Sequence, residues 1–93
     1  MRAIEPTTRF SRDYKREKKG GHARYLDELI AEIANRLAAD EPLDVRYRDH
    51  GLTGEWKDHR DCHIKPDLVL IYRLIGEDTL QLVRLGSHSE LGL

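Results

Sequence analysis

The chain has 93 residues, 39% hydrophobic and 35% charged, with a formal net charge of −1, which is the size and polarity of one small folded unit rather than of a disordered or multidomain chain. Its lone cysteine, Cys62, excludes an internal disulfide framework and fits a reducing cytosol. No run nears the roughly 18 apolar residues of a membrane span, and the opening Met1–Pro6 lacks the apolar stretch of a signal peptide, so the expectation is a cytoplasmic protein with a single domain over residues 1–93.

In chain order, Arg2–Glu5 reads as a short edge strand ending at Pro6. Thr7 or Thr8 can cap the helix that follows, because a threonine hydroxyl accepts one of the unpaired N–H groups of a first turn. On that helix Phe10 and Tyr14 share a face, and Arg9 and Asp13 are spaced to pair. Gly20-Gly21 is read as its stop, through glycine's access to left-handed backbone.

The next helix carries the clearest periodicity. Leu26, Leu29, Ile30, Ile33 and Leu37 recur every three or four residues, with Ala34 and Ala38 between them. Asp27, Glu28, Glu32 and Arg36 take the other side, with Glu32 and Arg36 well placed to pair, and Pro42 is read as the end. A helix over 23–39 is therefore predicted, packed on Val69, Ile71 and their neighbours in the sheet.

Beyond Pro42 the period shortens. Asp44–Arg48 alternates like a strand, Gly51 and Gly54 punctuate a loop, and Asp61–Ile64 forms a second strand, broken by Lys65-Pro66. Leu68–Tyr72 is a continuous apolar run suited to a central strand, and Thr79–Leu85 returns after the Gly76-Glu77-Asp78 turn. The predicted class is α+β, a helical hairpin on a small, mainly antiparallel sheet.

The charge is unevenly spread. Residues 1–20 hold seven basic side chains against three acidic, and residues 21–45 hold two against six. A near-neutral total argues against a general nucleic-acid coat but leaves room for a locally basic face.

Chemistry concentrates late. His50, His59, His63 and His88 lie in the second half of the chain, and imidazole alone switches protonation near neutrality without help. In an antiparallel sheet the start of the strand at Asp67 lies beside the end of the strand at Leu85–Ser87. Asp67, His63 and His88 then share one end of the sheet, to which the glycine loop can bring His50. Imidazoles with a carboxylate suit phosphodiester cleavage without a metal or other cofactor. One group takes a proton from a ribose 2′-OH, another protonates the leaving 5′-oxygen, and a cation steadies the charge on phosphorus. Taken singly, each histidine is more ordinarily a surface or structural residue. His59-x-x-Cys62-His63 lacks the paired spacing of a zinc site, Cys62 reads as a small buried strand residue, and Trp56 reads as a loop anchor.

The joined run Tyr47-Arg48-Asp49-His50, Leu52-Thr53-Gly54-Glu55-Trp56, Arg60-Asp61-Cys62-His63 and Pro66-Asp67, closing with Gly86-Ser87-His88, strongly resembles the YafQ branch of the RelE/ParE toxin superfamily. The resemblance covers Tyr47–His88 well, and the order and length of the helical part agree with it. It implies a ribosome-dependent mRNA endoribonuclease held inactive by a partner antitoxin, with His50, His63, Asp67 and His88 in the active site. It further implies His88 as general acid, Asp67 or His50 as base, and His63 helping to hold the phosphate. Lys57 and Arg60 are candidate phosphate contacts. Two aromatics of the branch are missing here, since Leu68 follows Asp67 and the chain ends Leu91-Gly92-Leu93. Their loss bears on how a base is positioned, because a stacked base is worth about 1–3 kcal/mol. The other function in view is a non-catalytic, ParE-like toxin that binds a protein target such as DNA gyrase, which has no need of the four residues together. A third is an inactive remnant that binds RNA or antitoxin.

Overall fold

A computed structural model describes all 93 residues. Five strands, β1 (Ala3–Pro6), β2 (His50–Gly51), β3 (Arg60–Lys65), β4 (Leu68–Ile75) and β5 (Thr79–Gly86), form one sheet in the order β1-β5-β4-β3-β2. Three helices accompany it, α1 (Thr8–Lys18), α2 (Leu26–Ala38) and the short α3 (His88–Leu91). The class is α+β, and every strand pair is antiparallel except β1 with β5. No helix is long and apolar enough to cross a membrane.

Pro6 sits where a strand tolerates proline, at the end of an edge. Thr7 then caps α1. Its Oγ1 accepts from the Phe10 N–H at 3.0 Å and donates to the Val83 carbonyl at 2.8 Å, tying the helix start to β5. The end of α1 differs from the expectation. Gly20 and Gly21 are not left-handed; the Lys19 and Gly20 N–H groups bond back to the carbonyls of Arg16 and Glu17 and tighten the last turn. The left-handed residue of this loop is Tyr25 (φ 61°), directly before α2.

Helix α2 begins three residues later than predicted. It ends at Ala38, four residues before Pro42, because Asp40 (φ 57°) enters the left-handed region and the Glu41 N–H bonds to the Arg36 carbonyl. Glu32 and Arg36 approach to 3.7 Å as their spacing predicts. Asp13 pairs with Arg16 and Arg84 rather than Arg9. Asp44–Arg48 is no strand. Asp44 accepts from the Arg46 N–H and starts a 3₁₀ turn over Val45–Tyr47, so the local cap overrides a short alternation.

The sheet carries apolar contacts on both faces. Leu26, Ile30, Ile33 and Leu37 of α2 pack with Leu68, Leu70, Tyr72, Leu80, Leu82 and Leu85. Val69 and Ile71 point the other way, onto Leu91, Leu52, Trp56 and Val83. Of the predicted partners of α2, Val69 and Ile71 are thus on the wrong face, while their neighbours Leu68, Leu70 and Tyr72 meet the helix. An unbroken apolar strand buried on both sides has no alternation to say which side meets the helix.

Candidate active site

Strand periodicity builds the site. On β3, Asp61 and His63 point to the side opposite Cys62 and Ile64, which lie in the main core. Asp61 pairs in register with His50 of β2, and His63 with Val69 of β4. The β3–β4 turn carries Pro66 and Asp67, and β5 ends beside it, since Val69 pairs with Gly86. Ser87 then turns the chain into α3. Its Oγ accepts from the Glu90 N–H at 3.1 Å, while the Glu90 carboxylate accepts from the Ser87 N–H at 2.9 Å. This capping box fixes His88 as the first residue of the helix. Gly86 leaves room for it: a Cβ there would stand 3.2 Å from both Arg16 Nη2 and Glu90 Oε1, so those side chains would have to shift by a few tenths of an ångström.

The four predicted residues come together. His88 Nδ1 lies 3.7 Å from Asp67 Oδ1, and the rings of His88 and His63 meet edge to face with centroids 5.0 Å apart. His50 joins through Asp61, whose Oδ1 lies 3.2 Å from its Nδ1. That nitrogen's hydrogen is aimed elsewhere, at the Arg48 carbonyl 2.7 Å away, so Asp61 Oδ1 is buried with no hydrogen bond of its own. With Nδ1 donating, the His50 Nε2 lone pair is free to accept a proton.

The protonation states are set by burial. Burial pushes the Asp61 carboxyl above its ordinary value, with the imidazoles of His50, His63 and His88 pulling the other way. Burial likewise pushes His63 down, Asp61 opposing and His88 and Arg48 adding to the fall, so neutral imidazole is favoured there. A cavity of about 600 Å³ opens over His63 and His88, rimmed by Arg46, Arg48 and Lys65 with Leu29, Ile64 and Pro66 beneath. The basic rim answers the charge pattern: a near-neutral chain concentrates cations where phosphate would sit.

Arg60 and Lys57 are not gathered into this cluster. Arg60 pairs with Tyr72 and shares its face of the sheet, donating to Tyr72 Oη at 3.2 Å and to Asp49 Oδ1 at 3.3 Å, and the Tyr72 hydroxyl donates to the same carboxylate. Lys57 is exposed after a 3₁₀ turn and has no ion-pair partner. Trp56 donates to the Leu91 carbonyl at 3.2 Å and fastens α3 to the glycine loop. Cys62 is fully buried, its thiol pushed well up by burial. Asp61 and Arg48 were not foreseen. The signal for Asp61 was the two-residue spacing to His63, which puts both on one face of any strand.

The family model described as bacterial toxin of type II toxin-antitoxin system, YafQ, matches residues 2–92. The chain belongs to that family. The mRNA interferase toxin YafQ of Escherichia coli K12 is 39% identical over 95 residues, covering 98% of this chain and 96% of that protein. A Haemophilus influenzae protein carrying the same family name is 48% identical over 64 residues, which span 66% of this chain and 59% of that protein. Among solved structures, a metal-bound toxin from Helicobacter pylori superposes with a TM-score of 0.88 at 46% identity, covering 98% and 99% of the two chains. The E. coli DinJ–YafQ complex superposes with a TM-score of 0.82 at 34% identity, covering 98% of each chain. In the present chain no three His, Cys, Asp or Glu side chains converge in an arrangement that could hold a metal ion.

Proposed function

We propose that this toxin is a ribosome-dependent mRNA endoribonuclease that works by acid–base catalysis on its own side chains, in the cytoplasm and as one domain of residues 1–93. The observation that carries the reading is the meeting of His88, Asp67 and His63 at one rim, beside a cavity that Arg46 and Arg48 also line. His88 is the general acid. Asp67, 3.7 Å from its Nδ1, orients the ring that gives a proton to the leaving 5′-oxygen. His63 is the general base, because burial favours the neutral ring that can take the 2′-OH proton. His50, with Nε2 free, stands beside it as a second acceptor. In the step itself the 2′-oxygen bonds to phosphorus and the bond from phosphorus to the 5′-oxygen breaks, leaving a 2′,3′-cyclic phosphate and a 5′-hydroxyl. Arg48 and Arg46 meet the charge that grows on the phosphoryl oxygens. The geometry thus favours His63 over Asp67 as base, with Asp67 orienting the acid.

A cognate antitoxin holds the free toxin in check. With a basic segment over 1–20 and an acidic one over 21–45, the matching partner segment carries both signs of charge and folds as it binds. The DinJ–YafQ complex of E. coli is the supporting precedent.

The test is cleavage of ribosome-bound mRNA by the purified chain, with the ends analysed chemically. Cyclic phosphate and 5′-hydroxyl ends are expected, at a rate unchanged by chelating transition metals at constant magnesium. Growth arrest with intact mRNA would instead favour a ParE-like toxin that binds a protein target.

A further inference from the structure

Tyr25 is an exposed aromatic in the loop before α2, and its setting is unusual. It is 61% exposed, it holds a left-handed backbone (φ 61°) that a bulky side chain adopts only under constraint, and it contributes no side-chain cap to α2. The constraint is visible. Lys65, on the rim of the cavity, donates from Nζ to the carbonyls of His22 and Arg24, both at 2.9 Å, and straps the 20–25 loop to the β3–β4 turn that carries Asp67. The Tyr25 carbonyl accepts from the Leu29 N–H at 3.0 Å, and Leu29 lines the cavity one helical turn on. The backbone at Tyr25 is therefore tied to two residues, Lys65 and Leu29, that line the cleft containing His63 and His88. Arg24 lies over its ring at 5.0 Å, donates to its hydroxyl at 3.3 Å, and has no carboxylate partner.

An exposed ring beside an unpaired guanidinium is what a single-stranded RNA needs, a face for a base and a cation for its phosphate. We propose that Tyr25 is a stacking platform for one mRNA base next to the scissile phosphate, with Arg24 bracing the ring and facing the adjoining phosphate. This inference rests on the nuclease reading. It also answers a gap in the sequence, where Leu68 and the Leu91–Leu93 end lack the family's aromatics: here the platform comes from the loop before α2. Lys65, spent on two carbonyls, is a positioning residue for this loop.

The test is a cycle between protein and message. Ribosome-bound mRNAs with a single abasic nucleotide, scanned across the three positions on either side of the scissile bond, are cleaved under single-turnover conditions by wild type, Tyr25→Phe, Tyr25→Ala and Tyr25→Gly. Stacking of one base is worth roughly five- to 150-fold, so Tyr25→Ala should slow cleavage by that much while Tyr25→Phe stays near wild type. At one abasic position the wild type should lose as much, and there Tyr25→Ala should cost nothing further. Tyr25→Gly, which removes the ring and relaxes the backbone, should match Tyr25→Ala in rate and melt no lower than wild type. Undiminished cleavage by Tyr25→Ala, or losses that add at every abasic position, would overturn the platform and leave the nuclease intact. If wild type cleaves none of the messages, the nuclease reading and this inference fall together.

Discussion

Two clusters of ionisable groups touch the C-terminal end of β5, and they are built on opposite principles. Around Asp13 every charge is answered. Its carboxylate accepts from Arg84 at 2.7 Å, from the Leu85 N–H at 3.0 Å and from Arg16 at 3.0 Å. Arg16 goes on to Glu17, Glu90 and the Leu85 carbonyl. Burial alone would push Asp13 up, but these hydrogen bonds outweigh it and its pKa ends below the ordinary carboxylate value. Around His88 the pairings are loose: 3.7 Å to Asp67, an edge-on ring, and a buried Asp61 oxygen with nothing to accept. A satisfied network holds α1 and α3 against β5. An unsatisfied one keeps proton donors and acceptors uncommitted, which is what proton transfer requires.

The contrast breaks most sharply at His88. His88→Ala should lower cleavage by about 10²–10⁴-fold, the usual worth of a positioned acid, with little change in melting temperature. Asp67→Asn should follow it in direction, since the carboxylate that orients the His88 ring is lost. Both are read by single-turnover cleavage on ribosomes beside a thermal melt. Near-wild-type rates in both would end the nuclease reading.

The opposite signature is expected at Asp13. Asp13→Ala strands Arg84 and the Leu85 N–H in a mostly buried site, and such a break costs about 3–5 kcal/mol. A urea titration should show that loss directly, with cleavage per folded molecule unchanged. The pH dependence follows from the sign of the shift. Because the folded pKa of Asp13 is depressed, its stabilisation is complete above the ordinary carboxylate value and is lost as pH falls through the lower folded one. The gap between wild type and variant should therefore close in strong acid.

This division explains what the sequence could show. Leu26, Ile30, Ile33 and Leu37 announced α2 because a helix buried on one side repeats every three to four residues. Val69 and Ile71 did not announce their face because their strand is buried on both. The gathering of His50, His63, Asp67 and His88 at one end of the sheet was legible through strand order and family pattern together. Asp61 was hidden by its type, since a carboxylate in a strand reads as solvent-facing until a partner covers it. Helix α3 was missed although Ser87 and Glu90 have the spacing of a capping box, because four residues carry too little apolar pattern to look helical. Tyr25 was masked by Gly20-Gly21: the glycines drew the left-handed assignment that the tyrosine in fact holds.

Asp61 sharpens the comparison from within the loose cluster. Its pKa is raised by burial, so the folded chain takes this proton more readily than the unfolded one. The ionised form costs stability near neutrality, a cost that fades as pH falls through the raised value. Asp61→Asn should hold or gain stability, on the order of 1 kcal/mol by urea titration. Its cleavage profile should move too. Asp61 opposes the fall in the His63 pKa, so without its charge that pKa drops further and the acid limb of the rate profile shifts to lower pH. An unshifted limb would separate Asp61 from the base.

The smallest effect is the most discriminating control. His59 and His50 make the same local bond: each Nδ1 meets the carbonyl two residues earlier, His50 that of Arg48 at 2.7 Å and His59 that of Lys57 at 3.0 Å. Each is thereby set with Nε2 free. They differ in neighbours. His50 lies against buried Asp61, whereas His59 meets only the edge of Trp56, with centroids 5.4 Å apart, and no carboxylate. If a free imidazole nitrogen were enough, the two would be interchangeable. If catalysis needs the carboxylate-lined cluster, His50→Ala should slow cleavage by about tenfold or more. His59→Ala should stay within about threefold in rate and within about 0.5 kcal/mol in stability, as for an ordinary surface change. Equal losses in the two variants would mean that the local bond, rather than the company of Asp61, selects the working histidine.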